Sequence, residues 1–525
     1  MKWLSVFSSC GRRIRRNQGL VQSAIAGFFR DEHRQSANPV PLFSSILDNC
    51  NMLASPSRAE PQGSVAAASV ASDKKAGSWS FPSYFWTANL VELCERAAYY
   101  GWFILLTVYL TSTVGYTDIE AGYLMGLFAA LLYLFPFLSG AFADRVGYRP
   151  ALLLALCSLT LGYLGLGLFP QKHVVLIPMA FVMLGGSLVK PIIMGTAAKS
   201  STPETRARAF SLFYMMVNIG SFFGKGAAEP VRRSLGLGAV PFLSASITII
   251  GFLCVALLYK PHEQKTNDSG SHALPSPGVQ QALTKLLHDF KKVLSSGRLV
   301  AIVLISSGFW IIQSQMYSSM PKYVFRVVGE HASPEWYANV NPITVMLAVV
   351  PITWLCKKLQ PVTSIAVGLG LIPLSALTIA LFPGLIGNHL PVHPVTVAIL
   401  LGISLIGLAE CFLSPRYMEY VSRQAPKGQE ALYMGYSNLN SFVAWVVGSI
   451  SSGYLLDAFV PNPKKLSVAE QTAHALALKG QGVLPSAYSH ANYLWFTFFG
   501  IGTLAFLALL VFARFSRSED TPQNG

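Results

Sequence analysis

Trp86-Thr-Ala-Asn-Leu-Val-Glu92-Leu-Cys-Glu95-Arg96-Ala-Ala-Tyr99-Tyr100-Gly101-Trp-Phe-Ile-Leu-Leu-Thr-Val-Tyr-Leu110 is apolar enough at its ends to cross a bilayer, yet it holds two carboxylates and a guanidinium. An ionisable side chain in hydrocarbon costs roughly 2.5 to 3.5 kcal/mol on insertion scales, so such residues face a polar cavity and pair with one another. Glu92 and Arg96 are one helical turn apart, and Glu95 and Tyr99 fall at neighbouring helical spacings. The stretch therefore predicts a membrane helix with one polar face, the wall of a hydrophilic pathway.

The rest of the chain has the same character. Of its 525 residues 52% are apolar and 12% charged, a balance expected of a polytopic membrane protein. Runs of about 20 apolar residues, the length that crosses the hydrocarbon core, occur near 86–111, 119–143, 149–169, 174–198, 207–229, 239–259, 298–320, 338–358, 362–383, 394–421, 430–458 and 491–514. Their length, without period-2 alternation, predicts an all-α fold of twelve transmembrane helices and excludes a β-barrel. Six runs precede and six follow the polar stretch 260–297, giving a tail (1–79), a first six-helix bundle (80–259), a cytoplasmic linker (260–297), a second bundle (298–515) and a short tail (516–525). Within the linker, 279–294 has apolar residues at helical spacing and predicts a surface-lying helix.

With the N-terminus inside, seventeen loop Lys and Arg residues fall on the inner side and eight on the outer, which predicts cytoplasmic termini. The net charge of +15 is then a matter of topology and anionic lipid, not of nucleic-acid binding. Residues 1–79 are basic at the start and poor in acid, with no apolar core of a secretory signal. They read either as a cytosolic tail or as an organelle transit peptide, so the protein is placed in the cell membrane or, on the second reading, an organelle membrane. The seven cysteines form no C-x-x-C pair and suit small buried hydrophobes. No metal-ligand spacing, cofactor motif or nucleophile–base pair occurs, so no metal, cofactor or enzyme activity is expected.

Further ions and amides lie at depth. Lys190 follows Gly185-Gly186 and precedes Pro191 in the fourth run, and Glu410 sits deep in the tenth, in Gly407-Leu-Ala-Glu410-Cys-Phe-Leu-Ser414-Pro415-Arg416. A lone ammonium in hydrocarbon needs an anion, and Glu92 and Glu95 are its expected partners. Asn218 and Asn341 can each donate and accept, as ligands or as glue between helices.

Three motifs narrow the assignment. Gly140-Ala-Phe-Ala-Asp144-Arg145-Val-Gly147-Tyr-Arg149 resembles the loop signature of the major facilitator superfamily. Glu92-x-x-Glu95-Arg96 and Phe213-Tyr214-x-x-Val217-Asn218-x-Gly220-Ser221 resemble the first- and fifth-helix signatures of its proton-dependent oligopeptide transporter family. Lys190-Pro191, Phe309-Trp310 with Gln315, Asn341-Pro342, and Glu410 with Ser414-Pro415 extend the likeness over about 84–514. The resemblance implies a monomeric proton-coupled symporter of di- and tripeptides working by alternating access. It implies that Arg96 and Lys190 meet the substrate carboxylate and that Asn218, Asn341 and Glu410 hold the amino end. Tyr99, Tyr100, Tyr133 and Trp310 would line the pocket, Glu92 and Glu95 would couple protons through Lys190, and Asp144, Arg145, Gly147 and Arg149 would form the conformational loop.

Two positions depart from the family pattern: Ser314 stands where an acid is common, and Arg416 follows the Ser-Pro, where it could claim Glu419 or Glu410. They keep open a carrier of a non-peptide organic or inorganic anion; a reading from another class is a non-transporting membrane receptor that uses this scaffold to signal through the 1–79 tail.

Overall fold

The computed structural model describes residues 81–202, 205–260, 297–356, 359–387, 391–424 and 437–519, all within one compact unit, Trp79–Gly525. The tail expected over 1–79 and the helix expected over 279–294 lie outside the described residues. Every regular element among the described residues is helical, since only intrahelical bonds satisfy backbone N–H and C=O groups in hydrocarbon away from water.

The first span consists of α1 (Ser83–Phe103) and α2 (Leu106–Tyr109), bent by 45° and extended by a π turn over Leu110–Val114. The second consists of α3 (Asp118–Leu134) and α4 (Pro136–Val146). Single helices follow: α5 (Tyr148–Leu168), α6 (Leu176–Lys199), α7 (Arg206–Leu235) and α8 (Val240–Leu258). In the second half α9 (Gly297–Ser318) leads into the short helices α10 (Met320–Val327) and α11 (Pro334–Tyr337). Then come α12 (Val340–Leu355), α13 (Pro361–Ile386), α14 (Pro394–Gln424), α15 (Leu439–Phe459), the loop helix α16 (Val468–Ala477) and α17 (Tyr493–Glu519), which runs past the expected boundary at 515.

Among the described residues nine spans qualify by length and apolarity, and the bent α1–α2 pair makes a tenth. The α3–α4 pair and α7 complete the twelve. Among the 30 residues of α7 are Arg206, Arg208, Lys225, Glu229, Arg232 and Arg233, which lower its mean hydropathy. Large apolar side chains such as Leu257, Leu347, Val350, Trp354 and Leu504 cover the outside, where lipid replaces protein neighbours. Cys157 also lies on the exterior, while Cys94, Cys356 and Cys411 are buried as expected of small hydrophobes.

In the first half α1 packs on α7 and α8, and α5 packs on α6 and α8. In the second, α13 packs on α14 and α17, α9 on α15 and α17, and α12 on α14. Small residues set the closest approaches, as is usual where helices associate without a hydrophobic driving force. A Cβ added to Gly220 would meet the Leu93 carbonyl oxygen at 2.6 Å, so this glycine lets α7 pack directly on the Glu92–Arg96 turn.

The halves are joined chiefly at the end that holds Asp118. There α3 lies against α15, α11 against α7 and α10 against α2. A Cβ on Gly453 would come within 2.7 Å of the Asp118 carbonyl oxygen, and the Tyr123 and Tyr454 hydroxyls pair across the seam at 3.0 Å. Asp118 Oδ1 accepts from both Lys322 Nζ and Arg326 Nη2 at 2.8 Å, all three residues being buried. Arg232 on α7 bonds Glu335 on α11 at 2.5 Å. These findings correct the loop-charge count: Lys322, Arg326 and Arg232, counted as outer loop charges, are buried in pairs that join the halves.

At the opposite end Gly147 turns the chain between α4 and α5 with φ +93°, a region that favours glycine. Arg149 donates to the Ala256 carbonyl at 2.8 Å, tying α5 to α8. Lys199 Nζ stands 3.9 Å from the Tyr148 ring centroid, tying the turn to α6. Arg145 is exposed, and the Asp144 side chain lies outside those described.

Candidate functional site

Arg96 is the hub of the first half's polar cluster. Its Nε bonds Glu95 Oε2 and stands 3.4 Å from Glu92 Oε1. Its Cζ lies 5.1 Å from the Tyr99 ring centroid and 6.0 Å from that of Tyr100, distances at which a ring face attracts a guanidinium. One cation thus serves two buried carboxylates, and both Glu92 oxygens and Glu95 Oε1 lack hydrogen-bond partners. Most buried polar groups are hydrogen-bonded, so three unsatisfied oxygens on two adjacent carboxylates call for an explanation.

Lys190 differs from the expectation. It is exposed on α6, and no carboxylate lies within ion-pair distance of it among the described residues. Arg96, one turn from Glu92 on the same helix, has taken both expected partners. Gly186, one turn before Lys190, faces Glu95, since a Cβ there would stand 3.9 Å from Glu95 Oε1. The ammonium therefore borders the carboxylate cluster while remaining open to a ligand.

In the second half Asn341 Nδ2 donates to Glu410 Oε2 at 3.3 Å. Arg416 does not compete for that carboxylate. It bonds Glu419 at 2.6 Å and the Cys356 carbonyl, beside a surface groove between α12 and α14 that Val350, Trp354 and Glu419 also line. Glu410 is left with an amide, which supplies a hydrogen bond but no positive charge.

The other expected residues divide. Tyr99 is buried and stacked on Phe103 at 4.7 Å, whereas Tyr100 is half-buried and 6.1 Å from Tyr317 of the other half. Tyr133 is half-buried and neighbours Trp445 of α15, so it too lies at the seam. Trp310 stands edge-on to Phe309 at 5.1 Å, and its indole N–H is buried without an acceptor. Asn218 donates back to the Tyr214 carbonyl of its own helix at 2.8 Å.

Ser314 has a steric account. It is fully buried, its hydroxyl donates to the Ile311 carbonyl at 2.7 Å, and it faces Gly448, where a Cβ would stand 2.5 Å from Ser314 Oγ. A carboxylate at 314 has no space against α15. Gln315 beside it bonds the Gly448 carbonyl at 3.2 Å and receives the Ser319 hydroxyl at 2.7 Å, so it braces α9 to α15.

Two features escaped sequence reasoning. One is the Asp118–Lys322–Arg326 group, whose carboxylate lies 204 and 208 residues from its two cations, so that no local signal links them. The other is Lys225, buried on α7 with its Nζ 5.8 Å from the Tyr100 ring centroid. Its place seven residues after Asn218, two helical turns along one face, could have revealed it.

The sequence profile of the Major Facilitator Superfamily matches residues 90–449. A multidrug resistance protein, MdtH of Blochmanniella pennsylvanica, is 25% identical over 371 residues, 68% of this chain and 82% of that protein. Among solved structures, the peptide transporter POT in complex with sulfate superposes with a TM-score of 0.60 at 19% identity, covering 83% of this chain and 95% of that one. A POT family transporter in complex with 5-aminolevulinic acid gives a TM-score of 0.63 at 18% identity, covering 85% and 98%. With the profile spanning most of its length and the same fold in these carriers, the chain belongs to the major facilitator superfamily, a family of membrane transporters.

Proposed function

We propose that the protein is a proton-coupled symporter of di- and tripeptides within the oligopeptide transporter branch. The observation that carries this reading is the two-ended charge layout. Lys190 borders Glu92 and Glu95 on one half without making an ion pair among the described residues, and Glu410 stands without a cation on the other, because Arg416 is bound to Glu419 and Cys356. A ligand with a carboxylate at one end and an ammonium at the other complements that pair, and charge-assisted bonds to such ends are the strong ones. The solved relative that holds 5-aminolevulinic acid supports a ligand of this shape.

Coupling rests on competition for cations. With Glu92 and Glu95 ionised, Arg96 is bound to both; protonating either loosens it toward the substrate carboxylate, and release of the substrate restores the internal pairs. Asp118 lies at the end that the loop charges make external, so the sealed seam there corresponds to a conformation closed to the outside. Asn218, Asn341, Tyr100 and Trp310 complete the pocket, and Arg145, Gly147 and Arg149 pivot at the other end.

The relative named a multidrug resistance protein favours a second reading, drug export. One experiment separates them: uptake of labelled Ala-Ala into proteoliposomes with and without an inward acid gradient. Gradient-driven uptake that is lost in Glu410→Ala and Lys190→Ala supports the peptide symporter. Absence of uptake in folded wild-type protein, with drug efflux driven by the opposite gradient, overturns it.

A further inference from the structure

Lys225 is a buried cation for which the proposed coupling has no task. It lies in Phe222-Phe-Gly224-Lys225-Gly226 on α7, with 1% of its surface exposed. Its Nζ donates to the Ala338 carbonyl at 3.2 Å, and no carboxylate pairs with it among the described residues. An ammonium has three donors, and a buried one without an anion is costly. Holding α7 against α11 does not account for it. Arg232, two turns further along α7, already makes that contact through Glu335 at 2.5 Å and the Ala332 carbonyl at 3.1 Å, and Asn339 adds a bond to the Phe222 carbonyl at 3.1 Å.

Its surroundings point to the central site. The half-buried Tyr100 ring has Lys225 Nζ 5.8 Å from its centroid and Arg96 Cζ at 6.0 Å, so cations from two helices converge on one accessible ring. The three carboxylates around the site are accounted for: Glu92 and Glu95 meet Arg96, and Glu410 receives Asn341. That leaves two cations, Lys190 and Lys225, without carboxylates. A substrate with one ammonium and one carboxylate answers Glu410 and only one of them.

We propose that Lys225 binds a second anionic group of the substrate, so that the site selects peptides with an acidic side chain over neutral ones. The inference rests on the peptide reading above: the backbone carboxylate goes to Lys190, the ammonium to Glu410, and the side-chain carboxylate to Lys225 beside Tyr100. An acidic dipeptide is thereby matched in charge at three points.

The test is competition against labelled Ala-Ala uptake in proteoliposomes holding the full chain, using Ala-Glu and its neutral isostere Ala-Gln. In wild type Ala-Glu competes at least roughly tenfold more strongly, as expected for a charge-assisted contact in place of a neutral one. In Lys225→Met that ratio falls to about one, whatever the absolute rate; Lys225→Gln replaces it if the methionine variant does not fold. A wild-type ratio near one overturns the proposal, as does a ratio unchanged in the variant, which would make Lys225 a strut between α7 and α11. Wild-type protein that takes up no Ala-Ala refutes the peptide reading and this inference with it. Uptake of Ala-Ala without acidic preference refutes the Lys225 role alone.

Discussion

Two buried charge clusters in this molecule look alike in composition and differ in design. At the sealed end, Asp118 meets Lys322 and Arg326 across the seam at 2.8 Å, Arg326 also bonds the Val460 carbonyl at 2.6 Å, and His474 of α16 closes over the Arg326 carbonyl at 2.7 Å. In the middle, Glu92 and Glu95 share the single Arg96 guanidinium, three of their four carboxylate oxygens lack hydrogen bonds, against Oδ2 alone on Asp118 at the sealed end, and Lys190 is exposed. The first cluster holds the two halves together through sequence-distant partners. The second draws its core from one helix turn and leaves its capacity unused, as the proposed exchange of partners requires.

The comparison breaks first at Asp118. Asp118→Ala leaves two buried cations facing each other, and removing one partner of a buried pair costs about 3–5 kcal/mol. Thermal unfolding of the purified protein should show that loss as a large fall in Tm, and an unchanged Tm would remove the clamp from the account. Ser314→Glu comes next: forcing a carboxylate against Gly448 combines overpacking with an unpaired charge and is expected to cost about 2–4 kcal/mol. A stable, active variant there would show that the position opens to the cleft.

Glu92→Gln sharpens the contrast from the other side. It removes a buried carboxylate whose oxygens have no hydrogen bonds, so stability should change by no more than about 1 kcal/mol, while acid-driven accumulation of substrate is lost and exchange of substrate across the membrane persists. A variant that unfolds like Asp118→Ala would make the two clusters equivalent. The smallest effect belongs to the Glu120–Lys172 pair, at 2.8 Å but roughly two-fifths exposed on each side. Glu120→Gln should shift stability by less than about 1 kcal/mol, and a larger change would mean that the α3 start is as tightly coupled as Asp118.

Much of the fold was legible in the chain because membrane helices report themselves locally. A run of about 20 apolar residues can be read without knowing its neighbours, and the twelve runs appear as helices or helix pairs, although the eleventh, expected from 430, begins at Leu439 among the described residues. The bend at Leu105 and the break at Phe135 were not legible, since apolar side chains continue across both. The amphipathic α7 was read as an ordinary span although its charges set it apart, and that is where Lys225 was overlooked.

The sequence by itself determined the helical class, the two sixes of spans and the list of ions that hydrocarbon cannot hold unpaired, because cost of burial depends on residue type. Only the tertiary structure decided which ion meets which. Arg96 took both glutamates because it is one turn from Glu92 and adjacent to Glu95, so the pairing needs no approach by α6. Arg416 went to Glu419 one turn away and to the end of α12, leaving Glu410 to Asn341. Ser314 met Gly448, and Asp118 met α10, through approaches between helices far apart in the chain. The pairs between helices depend on distances of a few ångströms that helix packing alone sets, whereas Arg96 and Arg416 meet carboxylates within a turn on their own helices.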